Sequence, residues 1–168
     1  PLLLSCQRGE KGIVLCVVNE TRRPRHVLIA WALRDRACRV RREETITLTV
    51  PALESAWLEP IDLPELRETE DFLSYALYEN GTNLSFATML FTPPKAYAFS
   101  NPGLSCRLEG DQVVVRGEAY AQGVEIRSMG EEILLEDNYF DMLPGERRVK
   151  LLSGTPSALQ VRSVYNIR

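Results

Sequence analysis

The sequence predicts an all-β fold of two sandwiches in tandem. Apolar and polar residues alternate with a period of two through most of its 168 residues. Turn residues, chiefly Gly, Pro and Asn, recur every 8–12 residues or so, the spacing of short strands in a sandwich. The texture changes once, at Thr92-Pro93-Pro94-Lys95. Two consecutive prolines donate no ladder hydrogen bonds, so a central strand cannot continue there. The implied domains are 1–93 and 94–168. The second is small. A domain of that size buries only about 60% of its unfolded surface, so it is expected to lean on a neighbour.

The strands follow in order. Ile13-Val14-Leu15-Cys16-Val17-Val18 places one at about 12–19, and Val27 to Leu33 another at about 26–34. Arg22-Arg23-Pro24 breaks the chain between them. Thr45-Ile46-Thr47-Leu48-Thr49-Val50 is the clearest alternation, with β-branched threonines suited to an exposed sheet face, inside a strand at about 37–50. Strands at about 54–61, 72–79 and 84–91 complete the first domain. Asn80-Gly81 joins the last two, since Asn-Gly readily takes the positive φ of a tight hairpin. Pro64 to Asp71 reads as one helical turn, with proline at its start and Glu65 in its first turn. In the second domain short strands are expected at about 96–99, 104–109, 112–118, 122–128, 147–152 and 158–166.

Composition bounds the function. Charged residues make up 26% and the net charge is −3, whereas a nucleic-acid or anionic-membrane partner normally calls for a basic surface. The longest apolar run has seven residues, far short of the roughly 20 of a membrane-spanning helix. The opening Pro1-Leu2-Leu3-Leu4-Ser5 lacks an initiator Met, and the expectation is a piece of something longer.

Chemistry is sparse. His26 is the only histidine, and no triad or zinc site assembles around it; it reads as a rim residue at a strand start. No glycine pattern forms a phosphate loop. The cysteines, Cys6, Cys16, Cys38 and Cys106, show no Cys-x-x-Cys spacing. Cys16 reads as a buried free thiol, while bridges from Cys6 to Cys16 or Cys38 stay open. The expectation is therefore no catalytic, cofactor-binding or metal-binding residue, with the disulfide state unassigned.

Eight acidic residues between Glu54 and Glu79, opposed only by Arg67, read as a solvated face. Asp137 and Asp141 flank Tyr139-Phe140 without EF-hand spacing, so they are expected to cap turns while both rings pack inward. Eight arginines between Arg22 and Arg42 should line the outer face of one sheet. Trp31 sits where an immunoglobulin-type sandwich places its core tryptophan, whereas Trp57 is ambiguous between packing and stacking on a sugar. Asn19, Asn80 and Asn83 lie in glycosylation sequons, which matter only in a eukaryotic secretory pathway.

Two stretches resemble a known family. The first runs from Val18-Asn19 through Trp31-Ala32-Leu33-Arg34-Asp35 and Trp57-Leu58-Glu59-Pro60-Ile61-Asp62-Leu63 to Phe91-Thr92-Pro93-Pro94-Lys95. The second is Asp137-Asn138-Tyr139-Phe140-Asp141-Met142-Leu143-Pro144-Gly145-Glu146. Together they resemble the C-terminal immunoglobulin-like domains of glycoside hydrolase family 2 β-mannosidases. The resemblance implies a parent that cleaves terminal β-mannosides with retention, through two glutamates on a (β/α)8 barrel. Such a barrel needs about 250 residues, so no residue here inherits a catalytic role. It also implies an ordered turn at 137–146, set by Pro144-Gly145, with Glu146 starting the next strand. The implied partner is the parent's own barrel, with oligosaccharide met only through the parent. Neither nucleic acid nor membrane is expected. A periplasmic or secreted location is slightly favoured over the cytoplasm. The alternatives are a carbohydrate-binding module and an adhesion-type sandwich that binds protein through a free sheet edge.

Overall fold

The computed structural model describes residues 1–167. Strands account for 58% of the chain and helix for 4%, so the fold is all-β: two immunoglobulin-like sandwiches in tandem. Two compact units form, one from Pro1–Arg34 with Val40–Phe91, the other from Asp35–Arg39 with the residues from Thr92 on.

The first unit carries β1 (Leu2–Gly9), β2 (Gly12–Asn19), β3 (Arg25–Asp35), β4 (Val40–Val50), β5 (Ser55–Trp57), β6 (Asp71–Glu79) and β7 (Thr82–Leu90). They form a three-stranded sheet in the order β1-β2-β5 and a four-stranded sheet in the order β4-β3-β6-β7. Core-facing positions follow the alternation. Leu4, Ile13, Leu15 and Val17 come from one sheet; Val27, Ile29, Trp31, Leu33, Leu73 and Leu77 come from the other. Trp31 is 2% exposed, the buried tryptophan expected of the third strand. Asn80 (φ 49°) and Gly81 (φ 78°) close the β6–β7 hairpin as the sequence predicts.

The second unit carries β8 (Ser105–Glu109), β9 (Gln112–Gly117), β10 (Ala121–Ser128), β11 (Leu134–Leu135), β12 (Phe140–Met142), β13 (Gly145–Ser153), β14 (Leu159–Arg162) and a single helical turn, α1 (Val164–Ile167). One sheet runs β11-β13-β9-β8 and the other β12-β10-β14. Val113, Val115, Val124, Ile126, Phe140, Met142 and Val149 fill the space between them.

Several expectations are corrected. The strand at 96–99 does not form: Pro94–Ala96 makes a 3-10 turn. The alternation there has another cause. Tyr97 and Phe99 pack edge-to-face at 4.7 Å, and Phe99 stacks on Tyr120 at 5.8 Å, so the period reports aromatic packing instead of a ladder. The helical turn at 64–71 is two successive turns, closed by Leu66 N–H to Leu63 O and by Glu70 and Asp71 N–H to Arg67 O. The strand at 54–61 is limited to Ser55–Trp57, because Glu59-Pro60 leaves the ladder, although Ile61 still bridges Ile13. The strand at 37–50 starts only at Val40, after a turn through Cys38 (φ 63°). The strand at 158–166 ends at Arg162, where the chain turns helical.

Candidate functional site

Chemistry-bearing side chains are distributed by the two sandwiches and mostly bound to one another. Asp71, which begins β6, is wholly buried. Its carboxylate accepts hydrogen bonds from the Arg67 amide (2.8 Å), from Arg67 Nη2 (2.7 Å) and from Arg41 Nη1. Glu79 at the other end of β6 is paired with Arg25 of β3. That pairing holds the Glu79 carboxyl below the usual carboxylate range. Arg8 meets Glu68 at 2.6 Å, and Arg42 donates to Asp62 O while lying 5.5 Å from the Trp31 ring. Two ion pairs, Arg25–Glu79 and Arg41–Asp71, thus join the arginine-rich stretch to the acidic one.

The arginines do not line a single outer face, contrary to expectation. Arg25 pairs in register with Val50, and Arg42 with Leu33, both core positions, so these two guanidinium groups emerge at the mouths of the sandwich.

In the second unit the segment from Asp137 to Glu146 is not the single turn that the resemblance implies: it holds strand β12 and the start of β13, and the turn proper is Leu143-Pro144 between them. Asn138 acts as a surrogate strand. Its Oδ1 accepts from Ile126 N–H at 2.8 Å, and its Nδ2 donates to Ile126 O at 2.9 Å. Asp137 binds Arg147, and Asp141 Oδ1 accepts from Gly123 N–H at 2.9 Å. Phe140 is buried beneath the Arg147 guanidinium at 4.0 Å. Tyr139 departs from expectation. It adopts φ 60° and is 67% exposed, because Asn138 and Phe140 already occupy the inward positions. Its hydroxyl donates to Glu125 Oε1 at 3.1 Å, and Glu125 also binds Arg162, which holds the Glu125 carboxyl low. The strand after the turn begins at Gly145, one residue before Glu146.

The remaining candidates fall apart from one another. His26 Nδ1 lies 2.7 Å from Thr49 Oγ1, beside an open groove of about 380 Å³ shared with Leu28, Thr47, Tyr78 and Asn80. Cys6, Cys16 and Cys106 are free thiols, so neither bridge left open from Cys6 forms. Cys6 Sγ contacts Met89 Sδ at 3.4 Å, and burial pushes the Cys6 thiol up to about 12. Burial likewise raises Cys16 and Cys106. Among the described residues no group of three His, Cys, Asp or Glu is arranged to hold a metal ion. No described helix is long and apolar enough to cross a membrane. Of the three sequons, Asn80 and Asn83 are exposed and Asn19 is wholly buried. Trp57 is 61% exposed on β5.

Sequence reasoning missed the short β11 and β12 and, in the first unit, strand β1. Its Leu2-Leu3-Leu4 start shows no alternation, and the only available signal was Cys6-Gln7-Arg8-Gly9 leading into the Gly9–Gly12 hairpin.

The fold is that of tandem immunoglobulin-like domains. A family model described as the mannosidase Ig/CBM-like domain matches residues 11–96, and one described as an Ig-fold domain matches residues 99–167. The chain belongs to the mannosidase Ig/CBM-like domain family. Among solved structures it is similar to a β-D-mannosidase from Dictyoglomus thermophilum, at 18% identity and TM-score 0.79, covering 96% of this chain and 21% of that one. It is also similar to the exo-chitosanase CsxA from Amycolatopsis orientalis, at 15% identity and TM-score 0.63, covering 95% of this chain and 26% of that one. The chain therefore spans between a fifth and roughly a quarter of the length of these enzymes. No curated protein matches it.

Proposed function

We propose that the chain is the non-catalytic accessory part of a β-mannosidase-like glycoside hydrolase of family 2, whose parent enzyme cleaves terminal β-mannosides with retention. Its two sandwiches, with domains at 1–93 and 94–168, pack against the parent's catalytic barrel and stiffen it. One observation carries the non-catalytic reading. Carboxylates in both units are engaged by arginines: Asp71 by Arg41 and Arg67, Glu79 by Arg25, Glu125 by Arg162 and Asp137 by Arg147. A retaining glycosidase needs two carboxyl groups about 5–5.5 Å apart across a sugar site, one of them able to hold a proton. The arginines hold the Glu79 and Glu125 carboxyls below the usual range, which makes these two poor proton donors at neutral pH. Family membership supports the glycosidase parent.

The test is to express the full coding sequence around this chain, assay it on an aryl β-mannoside and follow the anomeric configuration of the first product by NMR. A β-configured first product is expected. A parent without β-mannoside turnover, or with an α-configured first product, rejects the assignment.

A second reading, a carbohydrate-binding module, is favoured by one observation, the exposure of Trp57. Titration of tryptophan fluorescence with manno-oligosaccharides separates the two, because a flat response removes the module.

A further inference from the structure

We propose that the outward face of the β1-β2-β5 sheet is the surface through which this chain meets the rest of its parent glycosidase. The proposal rests on the accessory-domain reading and names its contact surface. Leu4, Ile13, Leu15 and Val17 face the core, with Leu2, Cys6 and Ala56 packed against them. Alternation then sends Leu3, Ser5 and Gln7 of β1, Val14, Cys16 and Val18 of β2, and Ser55 and Trp57 of β5 to the other side. The register sets them in rows: Leu3 opposite Val18 opposite Ser55, Ser5 opposite Cys16 opposite Trp57, and Gln7 opposite Val14.

This face has no Asp, Glu, Lys, Arg or His, in a chain where charged residues make up 26%. Its two largest side chains, Leu3 and Trp57, are 57% and 61% exposed. Cys16 at its centre is only 3% exposed, screened by its cross-strand neighbours. A strand such as β2, apolar on both sides, is the pattern of a sheet covered on both faces, whereas a half-solvated antiparallel strand alternates apolar with polar. β4 shows the solvated pattern, with Thr45, Thr47 and Thr49 exposed. Loss of charge at the centre of an apolar patch, with an aromatic anchor, is the composition of a protein interface core.

The occupant follows from the company the fold keeps. In the similar solved enzymes, a piece of this kind is 21–26% of one longer polypeptide. A neutral apolar face therefore has a ready partner in a neighbouring domain of that polypeptide. A flat sugar platform would need further aromatic rings beside Trp57, and no second aromatic residue stands among these eight positions.

Hydroxyl-radical footprinting read by mass spectrometry tests the proposal, comparing the 168-residue chain with its full-length parent. Oxidation of Trp57 and Leu3 is expected to be rapid in the chain alone and several-fold slower in the parent. Equal rates in both overturn the surface assignment and leave the accessory reading standing. Protection of Trp57 in the isolated chain by manno-oligosaccharide, or by raising the chain's own concentration, also overturns it, in favour of a sugar site or a self-contact. The accessory reading fails separately, by a parent inactive on aryl β-mannoside.

Discussion

Asn19 lies in an Asn-Glu-Thr sequon yet has no surface to offer a glycan. Its Nδ2 donates to the carbonyls of Arg23 (2.8 Å), Pro51 (2.9 Å) and Val50 (3.1 Å), and its Oδ1 accepts from the Thr21 amide and hydroxyl. One side chain thus ties the end of β2 to the ends of two connections. Replacing it, Asn19→Ala, leaves several buried backbone groups unpaired, each worth about 1–3 kcal/mol. A loss of about 3 kcal/mol is expected, measured as a lower denaturant midpoint; an unchanged midpoint would show that these bonds contribute nothing net. Asp35 plays the equivalent part in the β3–β4 turn. Burial raises its pKa, but hydrogen bonds from the Arg39 amide, the Arg39 guanidinium and the Ala37 amide outweigh it and hold the carboxyl below the usual range. The unfolded chain therefore takes up this proton first as the solution is acidified. Stability from Asp35 is fully present above the ordinary carboxylate value of about 4 and is lost as pH falls through the lower folded value. Denaturant melts across a pH series should show that acid limb, and Asp35→Asn should make it shallower.

At the scale of elements, Asn138 ties the segment from Asp137 to Glu146 to β10. Asn138 supplies both hydrogen bonds that a neighbouring strand would give Ile126. Asn138→Ala is expected to cost about 2 kcal/mol, and amide exchange at Ile126 should rise with it. Gly12 is the pivot of the β1–β2 hairpin. It has φ 132°, and a Cβ there would lie 2.3 Å from Ile61 O. Gly12→Ala must break the Ile13–Ile61 bridge, so a drop of more than about 1 kcal/mol in unfolding free energy is expected. Most long strands were legible because one face is buried and the other wet, as along β4. Where that contrast fails, the sequence misleads. β1 opens with three leucines that face both ways. β11 and β12 are two and three residues long, too short to display a period. Tyr97 and Phe99 alternate for the sake of a ring cluster. The ion pairs were illegible for a different reason: Arg25 and Glu79 are 54 positions apart, and only the β3–β6 pairing makes them neighbours.

For the molecule as a whole, the charge pattern and the apolar pattern point the same way. Two pairs drawn from the arginine-rich and acidic stretches, Arg25–Glu79 and Arg41–Asp71, are brought together by the first sandwich. The face proposed as the contact surface carries two of the exposed large apolar side chains, Leu3 and Trp57. On the function proposed above, the chain contributes rigidity and shape to its parent and leaves bond cleavage to another domain. The most direct measurement is the hydrolysis of 4-nitrophenyl β-mannoside by the purified 168-residue chain. No nitrophenol release above the buffer rate is expected at any pH where the chain is folded. Turnover that scales with chain concentration through successive purification steps, and that disappears when Glu79 or Asp71 is replaced, would contradict a non-catalytic role outright.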